Sequence, residues 1–343
     1  MNELEEFAYQ EEIKDRDKRI TVQENQIRAL LKEREGLYRQ LDFKKKALKA
    51  PRWLSPRKRS STKKHAVAVG FLSDDHFDEV VDPAELSGYN AYNREIATLR
   101  LRHYADDIIK ITQHYWAGIE YEGFCLIGGG DIFNGTIHDE LDRTNDGKGP
   151  YESLEYWTPQ IIALILMLAD VFGHVYIPWT VGNHGRWRQG KWGHKRRVVE
   201  NLDWALGMRL QAHFANDDRV QFFVPEDTDV PFNVYDVRFL LNHGQTSGGF
   251  GVGGIFPPIF RLLAGLRKRW EFDVATLGHW HQDVFAPNQG LIINPTLKGY
   301  DEFSRDMKFQ PEEPAQGLWL VSPEHGITWH TPVYVTDRKA EGW

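Results

Sequence analysis

The chain has 343 residues, 41% hydrophobic and 13% aromatic, with a formal net charge of -7, which is enough length and apolar content for one large catalytic domain plus an appendage. Its single cysteine, Cys125, excludes an intramolecular disulfide and a cysteine-built zinc site, so any metal falls to His, Asp and Asn, and a reducing, cytoplasmic setting is expected. The acidic opening from Met1 to Glu6 is unlike a secretory signal, and the longest apolar run, Ile161 to Phe172, is broken by Asp170 and shorter than the ~20 residues that span a bilayer, so no membrane partner is expected.

Residues 1–48 read as a helical arm. Ile13, Ile20, Ile27 and Leu41 fall on one heptad position, with Leu30 and Leu37 on the complementary one, a seam that predicts pairing with a second copy or with the enzyme body. A basic linker follows over 49–64, because Lys44 to Lys64 holds ten Lys or Arg, no acidic residue, and Pro51 and Pro56. Trp53 within it is a candidate for stacking on a nucleic-acid base. Residues 1–64 carry 18 basic against 11 acidic side chains, and the remainder 24 against 38. A basic arm on an acidic body suits a polyanionic partner outside and cations within.

From residue 65 the pattern alternates strand and helix. Ala66 to Leu72 predicts a buried strand, Arg94 to Trp116 a helix, Phe124 to Ile127 a strand and Trp157 to Phe172 a helix. Val175 to Val181, the helix Arg196 to Phe214 and the strand Val220 to Val224 continue the series. Strands then dominate, at Phe232 to Asn242, Phe272 to Leu277, Val284 to Ala286, Leu291 to Asn294, Gly317 to Val321 and Ile327 to Val335, interrupted by a helix over Pro258 to Trp270. An α/β domain over 65–343 is expected, with a mixed sheet or two packed sheets covered by helices.

The polar residues that close these strands carry the chemistry. Asp74 and His76 follow the first strand, Asp131 the second, and Asn183 with His184 the third. His243 follows Leu240-Leu241-Asn242, and His279 and His281 follow Ala275-Thr276-Leu277. The carboxyl ends of strands in an open α/β sheet share one edge, so side chains far apart in sequence can meet there. Hard oxygen and imidazole donors without thiolate suit divalent ions, manganese first, with Fe, Zn, Ni or Co as alternatives. Taken singly, each of these short motifs is more often a turn or a cap.

Together, Ser73-Asp74-Asp75-His76, Gly130-Asp131, Gly182-Asn183-His184, His243-Gly244 and Gly278-His279-Trp280-His281 resemble the calcineurin-like metallophosphoesterase family, over residues 65 to about 335 and in family order. The resemblance implies a four-layer α/β/β/α sandwich. It implies that Asp74, His76 and His281 hold one metal, that Asn183, His243 and His279 hold the other, and that Asp131 bridges them. His184 would be the general acid, and a metal-bridging hydroxide would attack phosphorus in line. The chain departs from the family at Gly185, where Asp or Glu is common, which leaves the orientation of His184 without a partner in the sequence. It also lacks the Asp-Arg pair of the phosphoprotein-phosphatase branch after Gly130-Asp131.

Past the third motif, Gly185 to Arg197 holds six basic residues and two tryptophans, among them the candidate substrate-binding residues Arg186, Trp187, Arg188 and Lys191. Cations interleaved with aromatics beside a phosphoryl site suit a nucleic-acid strand. The expected activity is therefore a nuclease. A phosphodiesterase or phosphatase for a small ester such as a cyclic nucleotide is the alternative, and a non-catalytic tether built on the arm is a third reading. The glycine-rich run Ser247 to Gly254 lacks the Lys-Ser or Lys-Thr ending of a nucleotide loop and reads as a mobile cover.

Overall fold

The computed structural model describes residues 51–55, 64–137, 144–186, 196–245 and 254–343, with isolated positions Lys18, Thr21, Val22, Asn25, Arg28, Lys32 and Leu141. The heptad residues of the arm, most of the basic linker, Trp187, Arg188, Lys191 and residues 247–253 lie outside the described residues.

Strand β1 (Lys64–Leu72) shows why its sequence reads as an unbroken apolar run. Ala66, Ala68 and Leu72 belong to one buried cluster, while Val67, Val69 and Phe71 belong to another. Side chains alternate across a strand, so a strand covered on both faces is apolar at every position.

Around β1 a six-stranded sheet forms. β2 (Ile119–Gly128), β3 (Val175–Pro178) and β4 (Val220–Phe223) run parallel on one side, while β10 (Ala315–Ser322) and β11 (Gly326–Tyr334) add antiparallel strands on the other, in the order β11-β10-β1-β2-β3-β4. The second sheet has five strands in the order β5-β6-β7-β9-β8. These are β5 (Val230–Val234), β6 (Val237–Asn242), β7 (Val274–Leu277), β8 (Val284–Ala286) and β9 (Leu291–Ile293), of which β6, β7 and β9 are parallel.

Three apolar clusters set the layers. Helices α1 (Arg94–Lys110), α2 (Pro150–Phe172) and α3 (Leu202–His213) bury Tyr104, Ile161, Leu164, Ile165 and Leu206 against one face of the first sheet. Val67, Phe71, Ile127 and Tyr176 meet Phe232, Phe239, Leu241 and Ile292 between the sheets. Helix α4 (Phe256–Arg269) sets Ile259, Leu263 and Leu266 against Leu240, Leu277 and Ile293 on the far face. The protein is thus a mixed α/β structure of two stacked sheets with helices outside.

Several sequence expectations shift. The run Phe232 to Asn242 is two strands, because the chain reverses at Tyr235, whose φ of 53° closes a two-residue turn between paired Val234 and Val237. The helix expected from Arg196 begins at Leu202, where Asn201 caps it by accepting from the Asp203 amide at 2.8 Å. The third strand ends at Pro178, short of Val181, and α1 is continued by a π turn over Ile111–Tyr115. Within the stretch read as linker, Arg52–Leu54 form a 3-10 turn with Leu54 buried, and the Leu54 carbonyl accepts from the Tyr235 amide. Trp53 stacks on His174.

Helix α2, expected from Trp157, starts seven residues earlier, at Pro150. At 23 residues, with an 18-residue stretch of mean hydropathy 1.3, it is long and apolar enough to cross a membrane by length and composition. Here Leu154, Trp157, Ile161, Ile165 and Leu168 are buried in the core beside the first sheet. Two short helices, α5 (Glu302–Asp306) and α6 (Arg338–Glu341), have no counterpart in the sequence reading.

Candidate metal centre

The loops after β1, β2, β3, β6 and β7 meet at one edge of the stacked sheets and bring together the side chains that the strand ends supply. Asp74, His76 and His281 form one group and Asp131, His243 and His279 another, each with its donor atoms within 4.8 Å of one another. His76, Asp131 and His184 form a third such group, so Asp131 belongs to two.

Backbone conformation singles out the same residues. Asp74, His76, Asp131, His279 and His281 have φ of 55°, 46°, 50°, 70° and 53°. Left-handed backbone costs an ordinary L-residue roughly 1 kcal/mol or more and persists where its surroundings enforce it, commonly at functional sites. Here it turns consecutive side chains out of the strand direction and into the cleft. The Asp74 amide donates to the Gly130 carbonyl at 3.0 Å and the His76 amide to the Asp131 carbonyl at 3.1 Å, which locks the first two loops together.

The donor atoms converge without partners enough to satisfy them. The Nε2 atoms of His76 and His281 face each other at 3.1 Å, and Asp74 Oδ1 lies 3.4 Å from His281 Nε2. Asp131 Oδ2 is 2.8 Å from His243 Nε2, while its Oδ1 accepts from the His184 amide at 2.7 Å. His243 Nδ1 donates to the Gly129 carbonyl at 2.9 Å, which leaves Nε2 as the lone-pair nitrogen of the neutral ring. Asn183 Oδ1 is buried without a hydrogen-bond partner.

A second tier of side chains holds these donors in place. Asp203, at the start of α3, accepts from the amides of Asp131 and Gly182 at 2.9 Å each through Oδ2. Burial raises its carboxyl to about 7, with the charge of Asp131 adding to the effect. Asn201 donates to the Gly182 carbonyl at 2.9 Å, and Thr296 to the Asp74 carbonyl at 2.7 Å. Ser73 donates to Asp74 Oδ2 at 2.6 Å and is itself reached by Asn294 at 2.9 Å. Lys298, buried, is clamped by Glu79 and Asp301, and Glu79 stands 3.7 Å from His76 Nδ1. Asn201 before α3 and Asp301 before α5 are helix caps, a local signal. Ser73 adjoins Asp74 and Glu79 lies three residues past His76, whereas Asp203, Asn294, Thr296 and Lys298 are distant in sequence from the residues they support.

His184 finds its partner in the backbone. Its Nδ1 lies 3.0 Å from the Asn134 carbonyl oxygen, and its ring meets His76 edge-on at 4.5 Å. The glycine at 185 has a steric reason: a Cβ there would sit 2.3 Å from Asn201 Oδ1.

Two divalent ions fit this donor set. Burial, then Lys298, His184 and His281, hold the His76 imidazole well below its ordinary value, and burial with the neighbouring His243 pushes His279 to about 3, so both rings are neutral, as ligation requires. Burial alone would also lower His243, but Asp131 outweighs it and carries the ring to about 9. Asp131 is in turn held low by His243 and His184 against its own burial. That proton sits where a cation would sit.

Of the substrate-binding candidates, Arg186 lies beside the centre, lining a cavity of about 360 Å³ with Phe77, Phe133, Asn145 and Lys148. Trp187, Arg188 and Lys191 lie outside the described residues.

No protein-family model matches the chain, and no curated protein matches it. Among solved structures, it is similar to a dimetal phosphatase from Danio rerio, at 11% identity over 79% of this chain and 99% of that one, with a TM-score of 0.32. It is also similar to a sulfate thiohydrolase from Thermus thermophilus in complex with glycerol, at 11% identity over 81% of this chain and 58% of that one, with a TM-score of 0.32. At these scores neither neighbour bears on function, which is read from the geometry of the site.

Proposed function

We propose that the protein is a dimetal-dependent phosphoesterase of the calcineurin-like kind that hydrolyses phosphodiester bonds, with nucleic acid as its substrate and manganese as its metal. The observation that carries this reading is the convergence of two buried His and carboxylate groups, Asp74-His76-His281 and Asp131-His243-His279, with the unpartnered Asn183 oxygen beside the second.

The ions, when bound, supply a nucleophilic water at neutral pH and neutralise charge on the phosphate oxygens. The chain's own residues do the rest. Asp131, between the two groups, sets their spacing. The Asp74 carboxylate is aimed by Ser73 and by the His279 amide at 2.7 Å. His184 keeps its Nδ1 proton on the Asn134 carbonyl, so it acts as the acid in its imidazolium form, whose second proton, on Nε2, goes to the leaving oxygen and leaves the neutral Nδ1–H ring behind. Arg186 and the basic composition of residues 186–197 support a strand of nucleic acid over a neutral substrate.

The cavity beside Arg186 favours a second reading, in which a small phosphate ester is the substrate. One assay separates them. Purified protein with Mn²⁺ is given single- and double-stranded DNA, RNA, cyclic nucleotides and an aryl phosphodiester. Cleavage of polymers that fades as salt rises supports the nuclease. Turnover confined to small esters supports the second reading, and silence on all substrates with two ions bound rejects both.

A further inference from the structure

Two connections at the metal edge, one between β3 and α3 and one after β6, bring two arginines to one neutral acceptor. Arg186 Nη2 and Arg197 Nη2 each donate to Gln245 Oε1 at 2.6 Å. Arg186 follows the loop after β3, Arg197 precedes α3, and Gln245 lies two residues beyond His243 at the end of β6. Both guanidinium groups are partly buried, and the Nε of each is buried with no hydrogen-bond partner among the described residues.

Other buried or partly buried arginines of this protein are matched to carboxylates: Arg94 to Asp78 and Glu152, Arg100 to Glu341, Arg238 to Asp273 and Glu271. Among the described residues, Arg186 and Arg197 have no carboxylate within ion-pair distance. Two like charges gathered on a single amide oxygen, with donors left over, form half of an interaction. Guanidinium forks match the oxygens of a phosphate, which would satisfy the spare N–H groups and the charge together.

We propose that Arg186, Arg197 and Gln245 form a binding site for a phosphate group of the substrate other than the one that is cleaved. This rests on the phosphodiesterase reading and narrows it, since it requires a substrate with at least two phosphates, such as a nucleic-acid strand. Gln245 acts as a positioning residue that holds the two forks at one spacing, and Arg186 joins this site to the cavity it shares with Lys148.

The test measures binding of a fluorescein-labelled octathymidylate to the full chain in chelator, where no cleavage occurs, by anisotropy over a range of salt. Arg197→Gln is expected to weaken binding about 10-fold, as loss of a charged hydrogen bond does, and to reduce the salt slope by about 0.7, the value of one phosphate contact on a single strand. Arg196→Gln is the control, because Arg196 is exposed and pairs with Glu200 at 3.2 Å, and it should stay within about twofold of the parent by the same reasoning. Equal effects of the two variants overturn the proposal. Should Arg197→Gln fold poorly, Gln245→Ala, which keeps both charges, is expected to weaken binding several-fold with the slope unchanged, and parent-like binding overturns the proposal. An aryl phosphodiester, with one phosphate, should show an unchanged KM in Arg197→Gln with Mn²⁺, and a KM raised as much as the octamer Kd would place the pair on the cleaved phosphate instead. If no phosphodiester is hydrolysed but Arg197→Gln still weakens octamer binding, the phosphate site stands and the phosphodiesterase reading falls.

Discussion

His184 Nδ1 lies 3.0 Å from the main-chain carbonyl oxygen of Asn134, in the loop that also carries Asp131. A carbonyl only accepts, so it fixes the tautomer and the ring plane without adding a negative charge beside the metal centre. His184 and Asp131 are therefore positioned by one loop, and the glycine at 185 is free to pack against Asn201 instead of orienting the ring. His184→Ala is expected to keep both ions and to lose about 10² to 10⁴ in kcat on alkyl esters, the range of a general acid. An aryl ester, whose leaving group needs little protonation, should lose far less. Metal analysis alongside the two rate measurements checks this, and loss of an ion would reassign His184 as a ligand.

Asp203 ties two ligand loops together through a single oxygen. Asp203→Ala leaves the buried amides of Asp131 and Gly182 unpaired, at a cost of about 2 to 5 kcal/mol for the two. Thermal unfolding should register the loss in the metal-free chain, and affinity for Mn²⁺ should fall by about 10- to 100-fold, as it does when a ligand's support is removed. A variant as stable as the parent, with unaltered metal affinity, would show that Asp203 supports neither loop.

Gly182 has no room for a side chain. A Cβ there would lie 2.0 Å from Asp131 Oδ1 and 2.3 Å from its amide nitrogen. Gly182→Ala must displace the shared carboxylate, with a packing cost of about 1 to 3 kcal/mol. Bound metal per chain, measured by emission spectrometry, should drop, whereas Gly265→Ala, on the open face of α4, should leave metal content unchanged and raise stability by about 0.5 to 1 kcal/mol.

The proton on His243 makes metal uptake depend on pH. In the metal-free chain burial opposes that proton, but Asp131 retains it to about 9, above the ordinary 6.5. The His243–Asp131 pair thus contributes stability that is complete below pH 6.5 and is lost as pH rises through about 9. A cation has to displace the same proton, so apparent affinity should climb by about tenfold per pH unit from neutral pH toward 9 and then level. Calorimetry in buffers of different ionisation enthalpy should register one proton released per chain at pH 7.5. A flat affinity profile over this range would remove the proton from His243.

Much of the centre was legible because its donors sit at the ends of β1, β2, β3, β6 and β7, and a strand end is a local event marked by an apolar run followed by glycine and a polar residue. The alternation of strands and helices, the absence of thiolates and the candidate ligands all follow from patterns a few residues long. The sequence alone therefore determined where donors stand along the chain and which metals they suit. Only the tertiary structure decided how the eleven described strands divide between two sheets, and that β5 and β6 are a hairpin, since pairing joins residues by backbone groups that every sequence shares. The same holds for the support of Asp131 by Asp203, 72 positions away, for the Asn134 carbonyl behind His184, and for the meeting of Arg186 and Arg197 on Gln245. Those contacts depend on burial and distance, which no spacing along the chain records, and they turn a set of strand-end side chains into one site.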